Sequence, residues 1–107
     1  MLGNNAIWNI TNTHDDIYCI ERTNDRPSLT VLIADIYICS EADIYEITSN
    51  YHNIDCIVLV GFYNRYSWDA KAMARTNNIG LFDMREFYGA IHFVGNRMLD
   101  YVKKEKK

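Results

Sequence analysis

The stretch DCIVLVGFYNRYSWDAKAMARTNNIGLFDMREF, residues 55–87, decides the fold of this 107-residue chain. It opens with a short apolar run rich in β-branched residues, IVLV at 57–60. Such a run predicts a strand that is covered on both faces, as in a parallel sheet. A second short apolar run follows at 79–82, and the residues between the two runs predict a helix. A strand, a crossover helix and a second strand imply parallel pairing with a right-handed connection.

Polar residues mark the helix boundaries inside this stretch. Ser67 can accept a backbone N–H at a helix start, and Asp69 would lie in the first turn, where a negative charge is favourable. Asn77 predicts the end of this helix. Asp83 and Glu86 have the spacing of a capping box, so a further helix is predicted to begin there.

The residues before the stretch predict an antiparallel meander and then a helix. Three strands are predicted at residues 6–11, 17–22 and 29–38, separated by turn formers. The third strand is almost wholly apolar apart from Asp35. Ser40 resembles a helix cap, and apolar residues then recur at helical spacing to about His52.

A long C-terminal helix is predicted after Asp83. Its apolar stripe consists of Phe87, Ile91, Val94, Met98 and Tyr101, and it is interrupted by two glycines. If this stripe is exposed, pairing with a second copy would bury it, which predicts a homodimer. The element order is then β-β-β-α-β-α-β-α in a single α/β domain with a mixed sheet, spanning residues 1–107.

Composition is typical of a soluble globular domain, with 49% hydrophobic and 23% charged residues. No apolar run approaches the ~20 residues that span a bilayer. The N-terminus lacks the basic and apolar regions of a secretory signal, so a cytoplasmic location without a membrane partner is expected. The three cysteines are widely spaced among apolar neighbours, which predicts buried, reduced thiols rather than disulfides or a zinc site.

Charge is unevenly distributed along the chain. Residues 1–63 carry a net charge of −7 and residues 64–107 a net charge of +4. Such asymmetry can mark a phosphate-facing surface or a self-complementary contact. Four of the nine basic residues in the second half belong to the tail at 103–107, which we expect to be solvated.

The opening stretch resembles the C-terminal half of Mrr-type domains of the restriction-endonuclease-like superfamily. The resemblance rests on CIVLVGFYN at 56–64, on Ala70 and Ala74 in the helix, and on NIGLFD at 78–83. It covers about a third of the chain. The order β-β-β-α-β also matches that fold, although the helix that usually precedes the meander is missing. The resemblance implies a restriction-endonuclease-like three-layer domain, and a Rossmann-like three-layer domain is the alternative.

The resemblance also implies where a divalent metal such as Mg²⁺ would be held. In that superfamily an Asp on the second strand and an acid-x-Lys motif on the third strand hold the metal, and the Lys helps to activate water. The candidate catalytic and metal-binding residues here are Asp16 and Asp35. Tyr37 stands at the lysine position, and no lysine precedes Lys71. A working nuclease would therefore need a cation from elsewhere, and we do not expect catalysis to be retained.

A separate ligand-binding site is predicted in the loop at residues 61–67. This loop lies beyond the carboxyl end of a central strand and runs into a helix N-terminus, where open α/β sheets bind ligands and anions. The candidate ligand-binding residues are Gly61, Asn64, Arg65, Ser67 and Lys71. Alternatively, the aromatic residues of this loop only cover the edge of the sheet.

Three functions remain open from the sequence. The first is a catalytically degenerate nuclease-like domain that binds nucleic acid or a nucleotide. The second is a small dimeric interaction or regulatory protein. A phage or other mobile element is a suggested source, because AT-rich coding sequence favours the abundant Ile, Asn, Tyr and Lys. The third is an active Mg²⁺-dependent nuclease that uses Asp16 and Asp35.

Overall fold

The computed structural model describes residues 7–14, 16–23, 26–51, 53–61, 63–93 and 95–101. The strands within these ranges are β1 (Ile7–His14), β2 (Ile17–Arg22), β3 (Leu29–Ala34), β4 (Ile38–Cys39), β5 (Cys56–Leu59), β6 (Arg65–Tyr66) and β7 (Gly80–Asp83). The helices are α1 (Glu41–Asn50), α2 (Trp68–Thr76), α3 (Met84–Ala90) and α4 (Asn96–Leu99).

Five strands form the main sheet in the order β1-β2-β3-β5-β7. β1, β2 and β3 are antiparallel neighbours, so the predicted meander is confirmed. β5 pairs parallel with β3, and β7 pairs parallel with β5, as the crossover pattern predicts. β4 and β6 form a separate two-stranded parallel sheet.

Helices cover both faces of the main sheet and create two hydrophobic cores. On one face, α1 and α2 pack on a row of side chains from neighbouring strands, formed by Leu32, Ile57 and Leu81. On the other face, α3 and α4 pack on a core that includes Val58 and Phe82. All four residues of β5 are buried, as expected for a central strand with both faces covered. The predicted three-layer α/β class with a mixed sheet is therefore confirmed.

The predicted caps fix the starts of the helices. Ser67 accepts the backbone N–H of Ala70 at 3.0 Å at the start of α2. The capping box of α3 is complete, because Glu86 N–H donates to Asp83 Oδ1 at 2.8 Å and Asp83 N–H donates to Glu86 Oε1 at 3.2 Å. At α1, the Ser40 N–H donates to the Asp43 carboxylate at 2.9 Å.

The predicted single C-terminal helix is wrong, because the chain forms two short helices there. α3 ends at Ala90 and α4 begins at Asn96, and Gly95 between them has a φ of +61°, a non-helical backbone conformation that favours glycine. Phe87, Ile91 and Met98 are buried in the domain's own core, so they offer no exposed stripe for a second copy. Val94 lies outside the described residues.

A buried arginine holds the connection between these two helices. Arg22 on β2 donates from Nη1 to the carbonyls of Phe93 at 2.7 Å and Ile91 at 3.2 Å, and from Nε to Pro27 at 2.8 Å. These bonds satisfy carbonyl groups at the end of α3 that a continuous helix would use internally.

Two predicted strand boundaries also need correction. β1 continues through the predicted turn to His14, because Asn12 pairs with Tyr18 and its side chain donates to the Ile17 carbonyl at 3.1 Å. The third strand ends at Ala34, so Asp35 follows the strand instead of lying within it. None of the helices described here is long and apolar enough to cross a membrane.

Candidate functional site

The carboxyl ends of β3, β5 and β7 meet at one edge of the main sheet, because these three strands are parallel. We call this region the carboxyl edge. Asp35 directly follows β3, Gly61 lies two residues beyond β5, and Asp83 ends β7. The sequence-predicted site residues therefore reach this edge from separate parts of the chain.

Asn64 joins two of the loops at the carboxyl edge. Its Oδ1 atom accepts the backbone N–H of Gly61 at 2.8 Å and that of Ile36 at 3.2 Å. A side chain at position 61 would collide with the Asn64 amide and the Asp35 carboxylate. Glycine at this position therefore allows the loop after β5 to lie close to the loop after β3.

Asp16 and Asp35 line one pocket of about 370 Å³ at this edge, with Ile47, Tyr51 and Val60 among its other lining residues. They come together because Ile33 N–H donates to the Asp16 carbonyl at 2.9 Å, which places the start of β2 beside the end of β3. Both aspartates are exposed to solvent.

This pair of carboxylates matches part of what a magnesium ion requires. Mg²⁺ is commonly held by one or two carboxylates together with water or substrate phosphates. Asp16 and Asp35 would be the residues that hold it, and the ion would supply positive charge to a phosphate group. The described ranges contain no group of three or more His, Cys, Asp or Glu side chains that could form a fuller metal site.

The small sheet of β4 and β6 displays exposed aromatic and apolar side chains beside this pocket's loops. Ile38 pairs with Arg65, and the Arg65 N–H donates to the Tyr37 carbonyl at 3.0 Å. Four large side chains here are each more than half exposed, namely Tyr37, Ile38, Tyr63 and Trp68. We call these four residues and the exposed Arg65 the aromatic surface.

The inner side of β6 anchors this surface to the domain. The Tyr66 hydroxyl donates to both carboxylate oxygens of Glu86 at 2.8 Å, and the Glu86 side chain is only 5% exposed. Burial, together with the hydrogen bond to Glu86, raises the pKa of Tyr66 above its usual value, so the hydroxyl remains a donor. The Tyr66 ring packs edge-on against Trp68 at 5.9 Å between centroids.

Lys71 is buried at the β7 side of the carboxyl edge. Its ammonium group donates to the Leu81 carbonyl at 2.8 Å and lies near the rings of Tyr66 and Phe82, at 5.0 and 4.6 Å from their centroids. Burial lowers the pKa of Lys71, and the Glu86 carboxylate offsets part of that change. A phosphate contact from Lys71 would require the side chain to leave this position.

The remaining predicted ligand-binding residues differ in whether their side chains are already engaged in hydrogen bonds. Arg65 is exposed, whereas the Ser67 hydroxyl already caps α2 and Asn64 already binds two backbone amides. Arg75, a further basic residue on α2, pairs with Asp100 at 2.6 Å. The predicted basic tail at 103–107 lies outside the described residues.

Two features of the site were missed by sequence reasoning. Lys71 lies with Ala70 and Ala74 on the buried face of α2. Its position one residue after Ala70 and three before Ala74 is the sequence signal that its side chain is directed inward. The hydrogen bond between Tyr66 and Glu86 joins residues from different elements, and no local sequence pattern predicts it.

No family model matches the chain, and neither a curated protein nor a solved structure matches it. The restriction-endonuclease-like resemblance therefore receives no support from these comparisons.

Proposed function

We propose that the carboxyl edge binds a nucleotide or a single strand of nucleic acid without cleaving it. The observation that carries this proposal is the position of Arg65 among the exposed side chains of the aromatic surface. Bases stack on aromatic side chains largely irrespective of sequence, and an arginine can pair with phosphate or stack on a base. The aromatic surface combines both kinds of group.

The support beneath this surface favours binding without a large rearrangement. Arg65 and Tyr66 are paired with β4, and Tyr66 is bonded to Glu86 on α3. Asn64 holds the preceding turn to the loop after β3. Side chains held in place before binding lose less conformational entropy when a ligand arrives.

Cleavage is not expected, because no lysine or arginine of the described ranges is paired with either of the two aspartates. Lys71, the first lysine of the chain, donates to Leu81. Neither Asp16 nor Asp35 forms an ion pair with any residue in the described ranges. Hydrolysis of a phosphodiester develops negative charge, which nucleases of this kind stabilise with a lysine beside the metal.

Binding of labelled single-stranded DNA, single-stranded RNA and nucleotides, with and without Mg²⁺, would test the proposal. We expect retention that weakens a few-fold between about 50 and about 200 mM salt, with no cutting. Trp68→Ala and Arg65→Ala should each weaken binding about tenfold, because one stacked base contributes about 1–3 kcal/mol. Tyr88→Ala and Arg97→Ala on the opposite helical layer are the matched controls.

Three outcomes would contradict the proposal. No retention at low salt would remove the nucleotide and nucleic-acid function. Mg²⁺-dependent cutting that is lost in Asp35→Ala would instead support the active nuclease, with Asp16 and Asp35 as its metal ligands. Equal losses in the aromatic-surface variants and the controls would show that any binding occurs elsewhere.

A protein partner is the second candidate function, and the acidic residues near the same surface favour it. Asp35, Glu41 and Asp69 are exposed around β4 and the start of α2. Tyr, Trp and Arg are enriched at protein interfaces, where a few such residues dominate the binding energy. A photo-crosslinking residue in place of Tyr63 should then give a discrete protein adduct that the same residue in place of Tyr88 does not give.

A further inference from the structure

A second pocket lies at the opposite end of the parallel strands from the carboxyl edge. We call it the amino-edge pocket. Its volume is about 420 Å³, and its lining includes Asp55 and Ile79, which directly precede β5 and β7. Thr48 in the last turn of α1 and Asn77 just after α2 also line it. The volume is within the range of about 300–1,000 Å³ that is typical of small-molecule sites.

The amino-edge pocket is rich in side chains that can accept hydrogen bonds. Besides Asp55, three asparagines line it, namely Asn53, Asn77 and Asn78. The Asn77 Nδ2 donates to the Met73 carbonyl at 2.9 Å, so its Oδ1 remains to accept. The side chains of Asn53 and Asn78 have no hydrogen-bond partner among the described residues. All three amides can therefore present acceptor oxygens to a ligand.

Hydrogen bonds to both neighbouring strands hold Asp55 in place. Its backbone N–H donates to the Thr30 carbonyl at 2.7 Å, its carbonyl accepts the Gly80 N–H at 3.0 Å, and its Oδ2 accepts the Thr30 N–H at 2.8 Å. Arg22 interacts electrostatically with Asp55, but its guanidinium donates to backbone carbonyls near the end of α3, on the opposite face of the sheet. The Asp55 carboxylate is thus positioned at the pocket before any ligand binds.

The charge around the amino-edge pocket favours a cation. α1 and α2 both end beside it, and the C-terminus of a helix carries a partial negative charge of about half an elementary charge. The described residues that line the pocket include no lysine, arginine or histidine. α1 has no basic residue in its last turn, and Arg75 in the last turn of α2 pairs with Asp100. A cation would be attracted here, whereas an anion would be repelled.

We propose that the amino-edge pocket binds a small organic ammonium ion. A primary ammonium group has three N–H donors, and the Asp55 carboxylate and the asparagine amides offer an acceptor for each of them. Hydrogen bonds between ionised groups are the stronger ones, so Asp55 contributes most. A divalent metal ion fits less well, because Asp55 is the only carboxylate in the described lining. Tyr51, half-buried in the lining, gives an alkyl chain an apolar contact.

This site lies at the other end of the sheet from the aromatic surface, and its proposal does not depend on nucleotide binding. Titration of the isotope-labelled full chain with diaminobutane at neutral pH, followed by amide NMR shifts, would test it. The diamine should shift the signals of residues 53–55 and 77–79, with a midpoint on the order of 1 mM. Butanediol has the same carbon chain without the charges and should not shift them at that concentration.

Asp55→Asn is the main variant. It keeps an oxygen that can accept the Thr30 N–H but removes the negative charge, so it should weaken binding of the diamine about tenfold or more. Glu46→Gln makes the same change of charge at an exposed position on α1 and should bind as the wild type does. Circular dichroism and thermal melting establish that each variant is folded.

Asn78→Gly is a second variant that keeps the backbone path. Asn78 has a φ of +60°, a conformation that glycine adopts readily, so the change removes the amide without adding strain. It should weaken binding a few-fold, because one neutral hydrogen bond is lost.

Each of four results would overturn the proposal. The first is that the diamine causes no shift at about ten times the expected midpoint. The second is an equal effect of butanediol, which would show that the charge is not recognised. The third is that Ca²⁺ shifts these signals and the diamine does not, which would replace the organic ion with a metal. The fourth is unchanged affinity in both Asp55→Asn and Asn78→Gly.

Discussion

Removal of the Tyr66 hydroxyl tests whether the aromatic surface is anchored to α3. This hydroxyl donates to the carboxylate of Glu86, whose side chain is 5% exposed. A hydrogen bond to a charged group contributes about 1.5–3 kcal/mol to stability. Tyr66→Phe removes the bond and keeps the ring. We therefore expect it to lower the free energy of unfolding by about 2 kcal/mol.

Truncation of Glu86 should cost more, because its carboxylate makes a second contact. It also accepts the Asp83 N–H in the capping box of α3, and loss of a cap costs about 1 kcal/mol. We expect Glu86→Ala to lose about 3 kcal/mol in total. The double variant should lose little more than Glu86→Ala, since the bond to Tyr66 is already absent. The coupling energy between the two sites should then be about 2 kcal/mol.

Urea unfolding at neutral pH, followed by circular dichroism, would measure all four proteins of this cycle. Each kcal/mol should also lower the melting temperature by about 4 °C in a domain of this size. Tyr88→Phe removes a hydroxyl from the surface of α3 and should change stability by less than about 0.5 kcal/mol. Additive losses in the double variant, with a coupling energy near zero, would refute the anchoring role of the pair.

Two further predictions concern Asn64 and Lys71. Asn64→Ala should lower the free energy of unfolding by about 1–3 kcal/mol, because it leaves the amides of Gly61 and Ile36 without their acceptor. Asn64→Asp keeps an acceptor oxygen and should retain most of that stability in thermal melts, so equal losses would contradict the role assigned to the amide. Burial lowers the pKa of Lys71 below 10.5, so the unfolded chain holds this proton to higher pH than the folded chain does. The wild type should therefore gain stability relative to Lys71→Met as pH rises toward 10.5, and denaturant titrations that give a pH-independent difference would contradict this.

Much of the fold could be predicted because its signals are local. The pattern at residues 17–22 gives the bounds of β2, and the apolar run at 57–60 gives a central strand shifted by one residue. The caps at Ser67 and Asp83 are local hydrogen-bonding patterns, and both form as predicted. These elements depend on residues within one turn or on a simple periodicity.

The C-terminal region could not be predicted because its structure depends on distant residues. An apolar stripe at helical spacing is equally consistent with one long helix and with two short helices packed on the same core. Arg22 favours the two short helices, because its side chain donates to the carbonyls of Ile91 and Phe93, about 70 positions further along the chain. Gly95 is a local signal that the helix is interrupted. No local pattern identifies Arg22 as the distant residue that binds the connection between the two helices.

The candidate site was predictable in position and less so in detail. Parallel strands bring Asp35 and Gly61 to one edge, and topology alone gives that result. Two hydrogen bonds of the site depend on side-chain packing between elements, and the sequence does not predict them. They join Asn64 to the Ile36 amide and Lys71 to the Leu81 carbonyl. The exposure of the aromatic surface could not be predicted either, because an aromatic-rich loop is compatible with both a buried and an exposed arrangement.

The positions of the basic residues limit which ligand the proposed binding site could accommodate. The second half of the sequence has excess positive charge, but in the described ranges Lys71 is buried, Arg75 pairs with Asp100 and Arg97 lies over the Phe93 ring. Arg65 and Arg85 are the other exposed arginines of that half. One or two phosphate contacts give a slope of log K against log salt of only about −0.7 to −1.4 for single strands. Stacking must then supply most of the affinity, which favours a nucleotide or a short strand over a long duplex. A much steeper slope would show that positive charge from outside this surface, such as the tail at 103–107, contacts the ligand.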